Sequence, residues 1–103
     1  MIDSIDISIS RGTVNIYKVL IDPNNNSCFI NQKKYEIDSK LINKIIEIIV
    51  TWKYEYGCSN TLDAEEFIVR INSSKAITYH GKGIFPENYN ELLSIIGDIE
   101  HGR

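Results

Sequence analysis

Ile5, Ile7 and Ile9 alternate with Asp6, Ser8 and Ser10, the two-residue period of a strand with one face in a core and one in water. Arg11-Gly12 reads as a short turn, with Gly12 free to take positive φ, and Thr13 to Ile21 as a second strand. In that strand Val14, Ile16 and Leu20 share one face, and Tyr17, Val19 and Ile21 share the other. Both faces are apolar near its end, so it is expected in the sheet interior, paired with the first strand as an antiparallel hairpin. Asp22-Pro23-Asn24-Asn25-Asn26 is turn chemistry, because Pro presets φ and Asn tolerates left-handed backbone. Cys28 to Ile30 and Tyr35 to Ile37 read as short extended pieces around a polar turn or bulge at Asn31 to Lys34.

The period then changes. Over Asp38 to Gly57, a helical projection gathers Leu41, Ile42, Ile45, Ile46, Ile48, Ile49, Val50 and Trp52 into an arc of roughly 200°. Lys40, Lys44, Glu47, Thr51 and Glu55 fall opposite. Asp38 or Ser39 can cap the start, and Gly57 can take the left-handed position that ends a helix. So wide an arc needs more cover than one sheet face gives. Either a second helix supplies it, or part of it is exposed to a partner.

Cys58 to Ala64 reads as a polar loop. Phe67, Val69 and Ile71 alternate with Ile68, Arg70 and Asn72, so Glu65 to Asn72 is a strand. Asn72 to Lys75 turns the chain, and Ala76 to His80 returns it until Gly81-Lys82-Gly83 breaks the strand. Asn88 and Glu91 have capping-box spacing, and Tyr89, Leu92, Leu93, Ile96 and Ile99 then recur at helical spacing up to Gly102. The order β-β-β(β)-α-β-β-α predicts an α+β fold. Two amphipathic helices are expected to cover one face of an antiparallel sheet of about five to six strands. Residues 1–103 read as one domain.

Composition narrows the function classes. With 43% hydrophobic and 24% charged residues the chain is ordinary for a folded protein. Cys28 and Cys58 are too few for a disulfide framework and read as buried thiols. The start has no basic n-region, and Ile48-Ile49-Val50 is far short of the ~18 apolar residues of a membrane span, so a cytoplasmic location with no membrane partner is expected.

The net charge of −3 is uneven. Residues 1–37 carry four acidic and four basic side chains, whereas residues 38–103 carry ten and seven. Between Tyr54 and Val69 stand Glu55, Asp63, Glu65 and Glu66, with no Lys or Arg. Affinity for nucleic acid comes mainly from Lys and Arg on phosphates, so a basic protein is the better partner. Lys33-Lys34, the one basic pair, suits a solvated strand edge.

Site chemistry is sparse. Gly81-Lys82-Gly83 lacks the third Gly of a dinucleotide fingerprint and the Ser/Thr of a Walker loop, and reads as a bend. His80 and His101 are the only histidines, and no Cys/His spacing suits zinc, so neither metal nor cofactor is expected. Glu65 and Glu66, adjacent on a strand, point to opposite faces, which weakens a shared acid/base site. Trp52 lies in the apolar arc and belongs to the core, whereas Tyr54 lies in the polar arc. An exposed Tyr beside acidic groups has the composition of an interface anchor.

Trp52-Lys53-Tyr54-Glu55-Tyr56-Gly57, then Leu62 to Phe67, then Tyr79 to Tyr89 form a stretch that resembles small acidic α+β immunity proteins of bacterial contact-dependent growth inhibition systems. The resemblance covers roughly residues 52–96, in size, charge and style, and carries over no functional residue. It implies a non-enzymatic protein that blocks a cognate toxin domain, often a nuclease. Tyr54, Glu55, Asp63, Glu65 and Glu66 are then the expected partner-binding residues, occupying the toxin's basic site. The alternative is a small ligand-binding or regulatory module, monomeric or dimeric, with a pocket between helix and sheet near His80 and Gly81. A small hydrolase or nuclease using Cys or paired carboxylates is the third reading, with Cys58 and Asp63 the positions that would test it.

Overall fold

A computed structural model describes residues 1–58 and 63–102. These residues form β1 (Ser4–Arg11), β2 (Val14–Asp22), β3 (Ser27–Ile30), β4 (Lys33–Glu36), α1 (Ser39–Ile49), β5 (Glu55–Cys58), β6 (Glu65–Asn72), β7 (Ala76–Lys82) and α2 (Tyr89–His101). The strands make one sheet in the order β4-β3-β2-β1-β6-β7-β5. Every neighbouring pair is antiparallel except β5–β7, which is parallel. The fold is α+β as expected, with seven strands in place of five to six.

The alternation in β1 holds: Ile5, Ile7 and Ile9 are buried, while Ser4, Asp6, Ser8 and Ser10 are half-buried on the other face. β1 pairs with β2 on one side and β6 on the other, so it joins the two halves of the chain. One face of the sheet presents Val19, Ile21, Cys28, Ile30, Phe67, Val69, Ile71 and Tyr79 to a continuous core with Ile42, Ile45, Ile49, Leu92 and Ile96 of the helices. Each fully buried Ile here contributes on the order of 1.5–3 kcal/mol. Among the described residues no helix covers the other face, where Leu20, Phe29 and Ile68 are exposed.

The face assignment in β2 needs one correction. A bulge lies opposite Ile9 and Ser10, so Tyr17 pairs with Ile9 but Asn15 pairs with Ser10. The skipped residue, Ile16, reverses the alternation, and Asn15 rather than Val14 shares the open face with Lys18 and Leu20. The side chain of Asn31 secures this bulge: its Oδ1 accepts from the Lys18 N–H at 2.8 Å and its Nδ2 donates to the Ile16 carbonyl at 3.3 Å. Asn31 and Gln32 form the two-residue turn between β3 and β4, both at positive φ. Lys33 and Lys34 are exposed on β4, the sheet edge, as a solvated basic pair guarding that edge.

α1 starts as expected, with Asp38 Oδ1 accepting from the Leu41 N–H at 2.8 Å. It does not run to Gly57. The Thr51 hydroxyl bonds the Ile48 carbonyl at 2.7 Å, and the Trp52 N–H bonds that of Ile49 at 3.0 Å. The last turn thus closes on itself. Gly57 disfavours a helix interior, and Glu55–Cys58 finds a ladder partner in β7. Gly57 has the expected positive φ, at 86°, but uses it inside β5, where the pairing with β7 is irregular. Val50, expected within the apolar arc, is 57% exposed because it caps the end of α1. Trp52 is buried as expected, and α2 lies beside α1, with Lys44 and Glu91 ion-paired at 3.3 Å.

The capping box at Asn88 does not form. The Asn88 Oδ1 instead accepts the indole N–H of Trp52 at 2.6 Å, and its Nδ2 donates to Thr51 Oγ1 at 3.4 Å. A buried indole donor needs an acceptor, and Asn88 supplies it in preference to its own helix. β7 continues to Lys82 and turns at Gly83, one pleat later than expected. The loop expected over Cys58 to Ala64 falls mainly on 59–62, outside the described residues.

Candidate functional site

Three strands bring the acidic stretch and a histidine together. Parallel pairing sets Glu55 of β5 beside His80 of β7, while antiparallel pairing sets Ile68 on the other side of His80 and Glu66 opposite Lys82. On the open face Glu66 and His80 are therefore diagonal neighbours. The His80 ring lies between the two carboxylates, with Nδ1 2.6 Å from Glu55 Oε1 and Nε2 2.6 Å from Glu66 Oε2. A neutral imidazole has one N–H, so only imidazolium donates to both. The ring is accordingly held above the ordinary histidine range, first by the bond to Glu66, against burial, with further help from Glu55. The side chains of His80, Glu66 and Glu55 are 26%, 34% and 64% exposed, so Glu55 is the most solvated of the three.

Glu65 lies on the opposite face, as its adjacency to Glu66 requires. Its carboxylate accepts from the Tyr89 hydroxyl at 2.6 Å and lies 3.5 Å from the Arg11 guanidinium. Burial, with Glu65 beside it, pushes the Tyr89 phenol well up. Glu65 thus ties the start of α2 to the sheet. Tyr54 is 66% exposed, and its ring lies 5.6 Å from that of Tyr79, a core-face residue of β7. Asp63 is exposed in a turn before β6. Of the five expected partner-binding residues, the structure joins Glu55 and Glu66 through His80. Tyr54 flanks them across the rim of β5, and Glu65 sits behind the sheet.

The space over Gly81 is occupied. A Cβ there would stand 2.6 Å from Phe67 Cε1 and 2.6 Å from the Ile84 carbonyl oxygen. The Phe67 ring therefore lies directly against the backbone, where a pocket between helix and sheet near His80 and Gly81 was expected. Among the described residues no group of three or more His, Cys, Asp or Glu side chains has metal-holding geometry. Cys28 is a buried thiol, pushed by desolvation up to about 11 and so kept unreactive. Among the described residues no helix is long and apolar enough to cross a membrane.

His80 stands out in the sequence as one of two histidines, but its pairing with the carboxylates does not. The hairpin register could be read from the turn at Ser73 to Lys75, and it brings Glu66 near His80. The partnership with Glu55 depends on β5 pairing with β7, for which the sequence carries no local signal. Comparison with protein-family models, curated proteins and solved structures returned no match.

Proposed function

We propose that this chain is a non-enzymatic binding protein, most specifically an immunity protein that neutralises a basic bacterial toxin domain by covering its active site. The supporting observation is edge strand β5, where the exposed Glu55, joined through His80 to Glu66, follows directly on the exposed Tyr54. An aromatic anchor gives residence time, and the adjacent negative charge speeds encounter with a basic surface. The net charge of −3 acts in the same direction. The interface so defined consists of Tyr54, Glu55 and Glu66. Glu65 serves the fold.

Co-expression with the protein encoded just upstream tests this, with growth and pull-down read together. A salt-sensitive complex that restores growth is the expected result, and Glu55→Lys with Glu66→Lys is expected to abolish both. Unimpaired rescue by that double variant would remove β5 as the interface.

A small ligand-binding module is the second reading. It draws on a concavity of about 710 Å³ on the open sheet face, where Leu20 and Phe29 adjoin Asp6, Ser8, Lys18 and Asn31. Thermal-shift screening with a Leu20→Lys control separates the two readings.

A further inference from the structure

β5 is held to the sheet by little backbone. Among the described residues it registers with β7 at Glu55↔His80 and Cys58↔Lys82, with an irregularity between them. The His80 N–H donates to the Tyr54 carbonyl at 2.9 Å, just where β5 begins. The side chain of the same residue reaches Glu55 on β5 and Glu66 on β6, which lie on opposite sides of β7. One ring therefore bridges three strands at the point where the edge strand joins.

We propose that protonated His80 is a pH-operated clasp that fastens edge strand β5 to the sheet, and that loss of its proton frees the Glu55 end of that strand. The geometry requires two donors, and neutral imidazole has one. When the proton leaves, one carboxylate oxygen faces a ring lone pair at 2.6 Å and moves away. Glu55 is the one that moves, because it is the more solvated of the two and sits on the edge strand.

Three charged groups share this part of the open face: Glu55 from β5, Glu66 from β6, and Lys82, two residues along β7 and in register with Glu66. Arg70, further along β6, is turned to Asn72, to which its Nε donates at 2.9 Å. The sign follows from the raised His80 value. The fastening is complete below the ordinary histidine range, near pH ~6.5, and is lost as pH rises through the elevated folded value.

The test needs no partner, so it stands or falls apart from the immunity reading. Ring ¹⁵N shifts of His80 give its titration, and the exchange protection factor of the His80 backbone amide reports whether Tyr54 is still bound. In the wild-type protein that protection is expected to fall on the order of tenfold between about pH 6 and about pH 9, in step with the ring titration. The amides of β1 serve as the unaffected reference. In Glu55→Ala the protection is expected to be low and independent of pH. In Glu66→Gln the ring midpoint is expected to drop and carry the loss of protection to lower pH. Constant His80 amide protection through the ring titration would overturn the proposal. So would a Glu55→Ala profile that matches wild type, or a Glu66→Gln midpoint that does not move.

Discussion

Asn88 shows how one side chain can leave a local role for a distant one. Its position three residues before Glu91 suits a helix cap, yet its carbonyl oxygen serves the Trp52 indole 36 residues away. Asn88→Ala should therefore cost about 1–3 kcal/mol, the penalty of a buried donor left unpaired, and Asn88→Asp, which keeps an acceptor, should cost less. Urea midpoints of the two variants give the comparison, and equal losses would contradict the role of the Asn88 oxygen as the indole's acceptor. Gly81 is a second such residue. A methyl group there meets the Phe67 ring and the Ile84 backbone, and backbone cannot step aside. Gly81→Ala is expected to destabilise by about 1–3 kcal/mol, again by urea titration, with partial recovery in a Phe67→Leu background.

Among the elements, those with a regular period were legible in the sequence and β5 was not. β1, β6 and α2 repeat Ile, Phe, Val or Leu at strand or helix spacing, and the structure keeps them close to where the pattern sets them. β5 is four residues, Glu55-Tyr56-Gly57-Cys58, too short to show a period. Its strand character comes from pairing with β7, so the pattern carried α1 past its true end at Ile49. The candidate site inherits this limit. That Glu65 and Glu66 face opposite ways follows from strand geometry alone, but the meeting of Glu55 with His80 is a tertiary fact. The placement of β5 also carries a pH dependence. Because the folded fold raises the His80 value, the wild-type protein should lose stability relative to His80→Gln as pH rises from about 6 to about 9. Parallel urea midpoints for the two proteins would show it, and a constant difference across that range would contradict it.

For the whole molecule, the sheet divides the labour. One face carries a core of isoleucines and aromatics closed by two helices, and the other, uncovered by helix among the described residues, is bounded by β4 with its lysines and by β5 with Glu55. The two edges thus differ in charge, and a basic partner is drawn to the β5 side. The most direct test is titration calorimetry of the chain against the purified protein encoded just upstream, at low and high salt, for wild type, Glu55→Lys/Glu66→Lys and Glu65→Gln. The account predicts wild-type binding that weakens with salt and a loss of about a hundredfold in the double-Lys variant. Glu65→Gln, altered behind the sheet, should bind within a few-fold of wild type. No wild-type complex, or a double-Lys variant that binds as tightly as wild type, would contradict it.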